Sequence, residues 1–203
     1  MTEPVQRKAT PEEEALSMGT RLLDAAETCF IRYGVAKTTM EDIARAAGVA
    51  RITVYRHYKN RDDLYSRVLV RDASRVLAGL KAHVASFHGL NDWLVEALAF
   101  VFHESRSSRV YPMLFSPDAV EQTWRLSISP EIILEHVLPI LEPVVAQAWA
   151  SAAVAPDITA EELAEWFVRI SLSFLTLPSV PERGPEELKS YLRRILPNAL
   201  HND

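Results

Sequence analysis

Thr38-Thr39-Met40-Glu41-Asp42-Ile43-Ala44-Arg45-Ala46-Ala47-Gly48-Val49-Ala50-Arg51-Ile52-Thr53-Val54-Tyr55-Arg56-His57-Tyr58 is the stretch whose reading decides the fold. Thr39 can cap a helix, and Asp42 three residues on can answer it. Met40, Ile43, Ala44 and Ala47 recur at the spacing that buries one helical face. Gly48 stands where that helix must stop and where the backbone can need a positive φ. A second helix then begins, with Arg51, Thr53, Arg56 and His57 toward solvent and Val54 and Tyr58 toward the core. Two short helices about a tight turn make a helix-turn-helix. Its second helix can enter a DNA major groove about 12 Å wide.

Charge agrees with this locally. Residues 32–61 hold seven cations, Arg32, Lys37, Arg45, Arg51, Arg56, Lys59 and Arg61, against two anions, Glu41 and Asp42. The whole chain has a net charge of −5, so the stretch is at +5 and the remainder at −10. A basic end on an acidic body is a directional field that attracts phosphates at one place.

The residues resemble the TetR family of transcriptional regulators. Arg21-Leu22-Leu23-Asp24-Ala25-Ala26-Glu27-Thr28-Cys29-Phe30 is similar to the family's first helix, and Tyr33-Gly34-Val35 with Thr38-Thr39 to the entry of its second. Asp42-Ile43-Ala44 and Ala47-Gly48-Val49 match its most recognisable stretch. Tyr55-Arg56-His57-Tyr58-Lys59-Asn60-Arg61-Asp62-Asp63-Leu64 resembles the run from the recognition helix into the fourth helix, with Arg61 where a lysine is usual. The likeness covers about the first third of the chain. It implies an all-α protein: a flexible arm (1–15), a three-helix helix-turn-helix DNA-binding domain (16–62), and a larger helical domain (63–203) for regulation, ligand binding and dimerisation.

Composition narrows the class. The 203 residues are 48% hydrophobic, which suits a globular core. No run approaches the ~20 apolar residues of a membrane span, and no apolar segment follows Arg7 and Lys8 as in a secretory signal. Cys29 is the single cysteine, so an intrachain disulfide is excluded and a reducing cytoplasm is the expected location. It reads as a small buried side chain. Scattered histidines and the lack of a cysteine pair predict no metal site and no cofactor. There is no Gly-rich phosphate loop and no Gly-x-Ser-x-Gly elbow, so an enzyme is not expected.

The remaining pattern is helical. Pro11 opens a first helix ending at Tyr33, with Leu22, Ala26, Cys29, Phe30 and Tyr33 inward. Asn60 caps a long fourth helix carrying Leu64, Val68, Val70, Leu77, Leu80 and Val84. Its roughly 24 residues would span about 36 Å. Phe87-His88-Gly89 is a break. The next helix, about 91–105, is apolar nearly all round, with Trp93, Leu94, Leu98, Val101 and Phe102. Ser116-Pro117-Asp118 and Ser129-Pro130-Glu131 read as helix starts. Pro139 and Pro143 predict a kinked or divided helix after the second, closed by Pro156. Thr159-Ala160-Glu161-Glu162 is a capping box for a helix over 160–177. Pro178, Pro181 and Gly184-Pro185 link it to a last helix over 185–196.

Roles follow from chemistry and resemblance together. Arg51 and Arg56 are base readers, because a guanidinium forks onto guanine O6 and N7, and Thr53 can meet a thymine methyl or a phosphate. The resemblance implies phosphate contacts from Thr39, Tyr55, His57 and Arg61. Reading two half-sites of a palindromic double-stranded operator implies a homodimer. Its interface falls on the last two helices through Leu172, Leu175, Leu188, Tyr191, Leu192 and Ile195, unless those stripes close the chain's own core. The expected partner besides DNA is a hydrophobic or amphipathic small molecule, held by Trp93, Phe100, His103, Phe115, Trp124, Trp166 and Ile170. His103, Glu104, Arg106, Arg109, Arg125, His136 and Arg169 are candidate polar groups at its rim. The function expected is a repressor released from its operator by that ligand. The alternative is a DNA-binding regulator with no inducer pocket.

Overall fold

A computed structural model of the chain describes residues 11–150, 158–177 and 183–200, with side chains from residue 16 to 196 of these. Every described element is helical: α1 (Pro11–Tyr33), α2 (Met40–Ala47), α3 (Arg51–His57), α4 (Arg61–Val84), α5 (Leu90–Ser107), α6 (Tyr111–Leu114) and α7 (Val120–Ser127) come first. A π-helical segment (Glu131–Val137) then runs into α8 (Leu138–Ala150), followed by α9 (Ala160–Thr176) and α10 (Pro185–Leu200). Arg7, Lys8, Pro156, Pro178 and Pro181 lie outside the described residues. The chain divides into two compact units, Met1–Val68 and Leu69–Asp203.

The first unit is built by local signals. Gly34 closes α1 at φ 83°, a backbone region in which a Cβ is strained. Thr38 Oγ1 then donates toward the carbonyls of Gly34 (2.8 Å) and Cys29 (3.2 Å), which fixes the corner with its hydroxyl inside. Thr39 Oγ1 accepts the Asp42 amide while Asp42 accepts the Thr39 amide, and Gly48 ends α2 at φ 66° with its amide on Ala44 and Arg45 carbonyls. Tyr58 Oη donates to the Gly19 carbonyl (2.9 Å), tying the end of α3 to α1. Leu22, Ala26, Cys29, Phe30, Ile43, Val54, Leu64 and Tyr65 form the core, with Phe30 edge-on to Tyr65. Tyr33 departs from its expected inward position. It is 45% exposed, in the last helical turn beside Gly34, under the Arg32 guanidinium. Cys29 is buried, and that burial first, then Asp42, pushes its thiol pKa up and makes it less reactive.

The second unit is centred on α5, which buries Leu90, Trp93, Leu94, Val95, Ala97, Leu98, Ala99 and Val101 against α9, α8 and α10. The expected start at Ser116-Pro117-Asp118 is corrected. Residues 115–119 turn, and α7 begins at Val120 after the Ser116 carbonyl accepts from Ala119 and Val120. The proline-bearing helix is divided as its sequence demands. Pro139 and Pro143 have no N–H to give the preceding turn, and the backbone ahead of them widens to π spacing before α8 resumes. The expectation of no span-length apolar run also needs correction. The twenty residues Glu131–Ala150 reach a mean hydropathy of 1.3, long and apolar enough to cross a membrane by composition. Here they supply Ile132, Ile133, Val137, Leu141, Val144, Val145 and Ala148 to the core.

Among the described residues Glu96 is the one buried carboxylate, and the sequence reading passed over it. It accepts from Lys189 Nζ (2.9 Å), Arg193 (3.2 Å) and His83 Nε2 (3.3 Å), joining α5 to α10 and α4. Burial alone would raise its pKa. The hydrogen bonds from Lys189 and His83 outweigh burial and hold it below the usual carboxylate range. A depressed folded pKa contributes stability that is present above the unfolded value, ~4.3, and lost as pH falls through the folded one. Glu96→Gln is therefore expected to cost about 1–3 kcal/mol at neutral pH. It should also flatten the acid limb of the melting temperature below about pH 4. Parallel melting-versus-pH curves for both proteins would show that the carboxylate is not the titrating group.

Candidate nucleic-acid interface and ligand cavity

One face of α3 is left to solvent. Val54 is fully buried and Thr53 and His57 are half-buried, so the outward strip is Arg51, Ile52, Tyr55 and Arg56. Arg51 Nη2 lies 3.1 Å from Tyr55 Oη, with its guanidinium carbon 5.3 Å from the ring centre, so the cation is held against a side chain one turn along the helix. Arg56 is exposed with no ion-pair partner among the described residues. Arg45 is neutralised by Glu41 (3.8 Å) and Asp42 (3.4 Å) and is a poorer phosphate ligand for it. Ile52, 69% exposed at the start of α3, was not singled out from sequence. Helical position was the available signal, because 51, 52, 55 and 56 share a face.

Two expected phosphate contacts are occupied within the chain. Both donors of Thr39, its amide and its hydroxyl, point at Asp42, whose pKa is lowered by the side-chain bond first and the backbone bond second. A phosphate at Thr39 would displace that carboxylate. Arg61 donates Nη1 to the Ala36 carbonyl (2.9 Å) and Nη2 toward Asp62 (3.3 Å). Asn60 Oδ1 accepts the Asp63 amide (2.9 Å), and Asp63 in turn accepts the Lys59 amide (3.0 Å), so the start of α4 is capped from both sides.

The second unit holds an apolar cavity of about 110 Å³, walled by α4, α5, α6, α9 and the π segment, with Val76, Val101, Leu114, Ile132, Val137, Phe167 and Val168 among its residues. Of the seven expected ligand residues, only Phe115 lines it. Trp93 is buried against Phe167 and edges a separate surface cleft with Pro139 and Pro143. Phe100 stacks on His83 at 4.8 Å. His103 is exposed, Trp124 is 43% exposed, and Trp166 and Ile170 pack half-buried on the outside of the core. Among the rim candidates, Glu104 pairs with Arg75, Arg125 with Glu121 and Arg169 with Glu165, and none of the seven lines the cavity. The sequence cue, aromatic size, selected residues that fill space, and the cavity is lined mainly by aliphatic ones.

The expected interface residues divide likewise. Leu188 and Leu192, 1% and 3% exposed, close the single chain's core against α5, and Leu172 and Leu175 border the cavity. Of the six, Ile195 is the one exposed side chain, at 50%, and Tyr191 is half-buried under Arg183. The apolar period was legible, but it could not distinguish a stripe facing α5 from one facing another subunit.

Comparison with known proteins agrees with this geometry. Residues 22–68 match the profile described as bacterial regulatory proteins, tetR family. The HTH-type transcriptional regulator AlkX of Mycobacterium tuberculosis is 25% identical over 201 residues, 97% of this chain and 92% of that protein. TtgR of Pseudomonas putida, another HTH-type transcriptional regulator, is 41% identical over 58 residues, 29% of this chain and 28% of its own length. Among solved structures, FadR of Bacillus halodurans, a fatty acid degradation regulator, superposes with a TM-score of 0.64 at 14% identity, over 94% of this chain and 96% of its own. The TetR family repressor AlkX of a Dietzia strain, implicated in biodegradation of n-alkanes, gives 0.59 at 21% over 96% and 97%. The helix-turn-helix geometry of α2 and α3, the profile that matches the same residues and the full-length likeness to AlkX lead to one conclusion: the chain is a DNA-binding transcriptional regulator, not an enzyme, and its residues 22–68 are a helix-turn-helix of the tetR type.

Proposed function

We propose that the chain is a repressor that binds a palindromic operator as a homodimer and is released by a hydrophobic or amphipathic small molecule. The observation that carries it is the outward strip of α3, where Arg51, Tyr55 and Arg56 are spared from packing. Arg51 and Arg56 read guanines, Ile52 or Thr53 meets a thymine methyl, and Tyr55, His57, Thr39 and Arg61 hold phosphates. In this reading residues 1–15 are an arm, 16–62 read DNA in the cytoplasm, and 63–203 regulate and dimerise. Repression is the action named for the Dietzia relative. The cavity in the second unit supports ligand control. α4 begins within the reading unit and ends within the other, so one helix belongs to both.

Selection from a random duplex pool with the purified chain is expected to enrich twofold-symmetric sites with half-sites one helical turn or a multiple apart, ~34–36 Å per turn. A ligand that releases operator tenfold needs about 1.4 kcal/mol of coupling, and operator must weaken that ligand by the same factor. Enrichment of asymmetric sequences only, or ligand affinity unchanged by operator, counts against the dimeric or the ligand-responsive part respectively.

A further inference from the structure

Several helical hydroxyls in this protein bond back along their own helix. Thr20, Thr28, Ser66 and Thr176 each donate to the carbonyl four residues back, at 2.7–3.1 Å. Ser171 on α9 does not. It is 9% exposed, lines the cavity of the second unit, and its Oγ has no hydrogen-bond partner. A buried hydroxyl without a partner is unfavourable, and this one belongs to a residue of the cavity wall.

The other polar walls are committed or wet. Tyr111 Oη donates to the Leu175 carbonyl. Asp72 Oδ1 accepts from Ser108 Oγ (2.7 Å) and faces Arg75 (3.4 Å). Ser105 and Ser127 are half-exposed. Among the described residues no lysine, arginine or histidine lines the cavity, and Asp72 is its one carboxylate. An anionic ligand would enter against that charge with no cation in the wall to meet it. The volume, about 110 Å³, is of the order of the ~150 Å³ cavity that accommodates benzene.

We propose that this cavity takes an uncharged, ring-sized apolar molecule bearing one hydroxyl, and that the hydroxyl pairs with Ser171. The assignment rests on the ligand-responsive reading above and narrows it, because it excludes carboxylates such as free fatty acids. Ser171 can both donate and accept, so a hydroxyl of either sense completes it. The apolar remainder lies against Val76, Val101, Ile132 and Phe167.

Three single-ring probes test it: phenol, its isostere toluene, and benzoate as the carboxylate, each titrated calorimetrically into the full chain without DNA. Phenol is expected to bind about tenfold more tightly than toluene, from one added hydrogen bond, and benzoate more weakly than phenol by at least that factor. In Ser171→Ala phenol should fall to the level of toluene, with toluene itself changed less than about twofold. Thermal melting checks that the variant folds, and Ser171→Cys, slightly larger and with only a weak donor in place of the hydroxyl, offers a second comparison should it not. Equal affinity for phenol and toluene in the wild type, or a phenol preference that survives in the variants, overturns the proposal and leaves Ser171 solvated by water. Operator release is scored separately. If the probes bind in the stated order without releasing operator, the cavity chemistry holds and the ligand-responsive reading falls. If carboxylates release operator and phenol does not bind, the chemistry falls and that reading holds.

Discussion

Leu192→Asp is expected to unfold the second unit, with a loss of more than about 4 kcal/mol. Leu192 is 3% exposed in the single chain and lies in the core cluster with Leu188, Leu196 and the α5 residues Leu94 and Leu98. The substitution removes a buried leucine, worth roughly 2–5 kcal/mol on its own, and leaves an unpaired carboxylate in its place. Far-ultraviolet circular dichroism should report loss of helix, and the melting transition should collapse. Ile195→Asp, on the exposed side of the same helix, should keep wild-type helical content. If α10 dimerises through that face, Ile195→Asp should also sediment as a monomer. A folded, monomeric Leu192→Asp protein would reverse the assignment and put Leu192 between subunits.

The second large effect is on operator binding. Arg51→Ala and Arg56→Ala are each expected to cost about 1–3 kcal/mol on the selected site, and each should relax preference at a particular base. Arg61→Ala should weaken all sequences alike and reduce the salt slope by about one. Gel-shift titrations at several salt concentrations, on the selected duplex and on single-base variants, separate the two patterns. The intrachain bonds of Arg61 to Ala36 and Asp62 act in the other direction, because its charge is partly spent before DNA arrives. A change in base preference from Arg61→Ala with none from Arg51→Ala would exchange their roles.

The reading unit was legible because its determinants are local. A threonine three residues before an aspartate, a glycine at each required positive φ, and a cluster of arginines specify α2, α3 and their turn without reference to distant residues. Pro139 and Pro143 announced the division of their helix in the same way. The second unit was legible as helices but not as a site. Trp93 and Phe100 are large because they fill space between helices, and the cavity falls where smaller residues meet. Ser171 carries no sequence mark beyond being polar in an apolar stretch, and so does Glu96. Each acquires meaning from residues more than sixty positions away, such as Leu69 across the cavity or Lys189 on the carboxylate. Leu188 and Leu192 show the same limit. Their period was read correctly, but their partner is set by how α10 packs on α5.

The π-helical segment ahead of Pro139 has a consequence for insertions and deletions. Each residue of an α-helix turns the chain by ~100°, so a widened turn is equivalent to extra residues stored in the helix. The angular phase of α8 is thus set upstream, at Glu131–Val137, and it determines that Leu141, Val144, Val145 and Ala148 point inward while Trp149 stays partly outside. Deleting one residue from the widened turn would let the backbone regain ordinary spacing with the phase of α8 little changed, whereas deleting one from α8 ahead of Leu141 would rotate the side chains beyond it by ~100°. The widened turn is thus the place in this helix that can absorb a one-residue change in length, which within α8 would turn an apolar face away from α5 and α9.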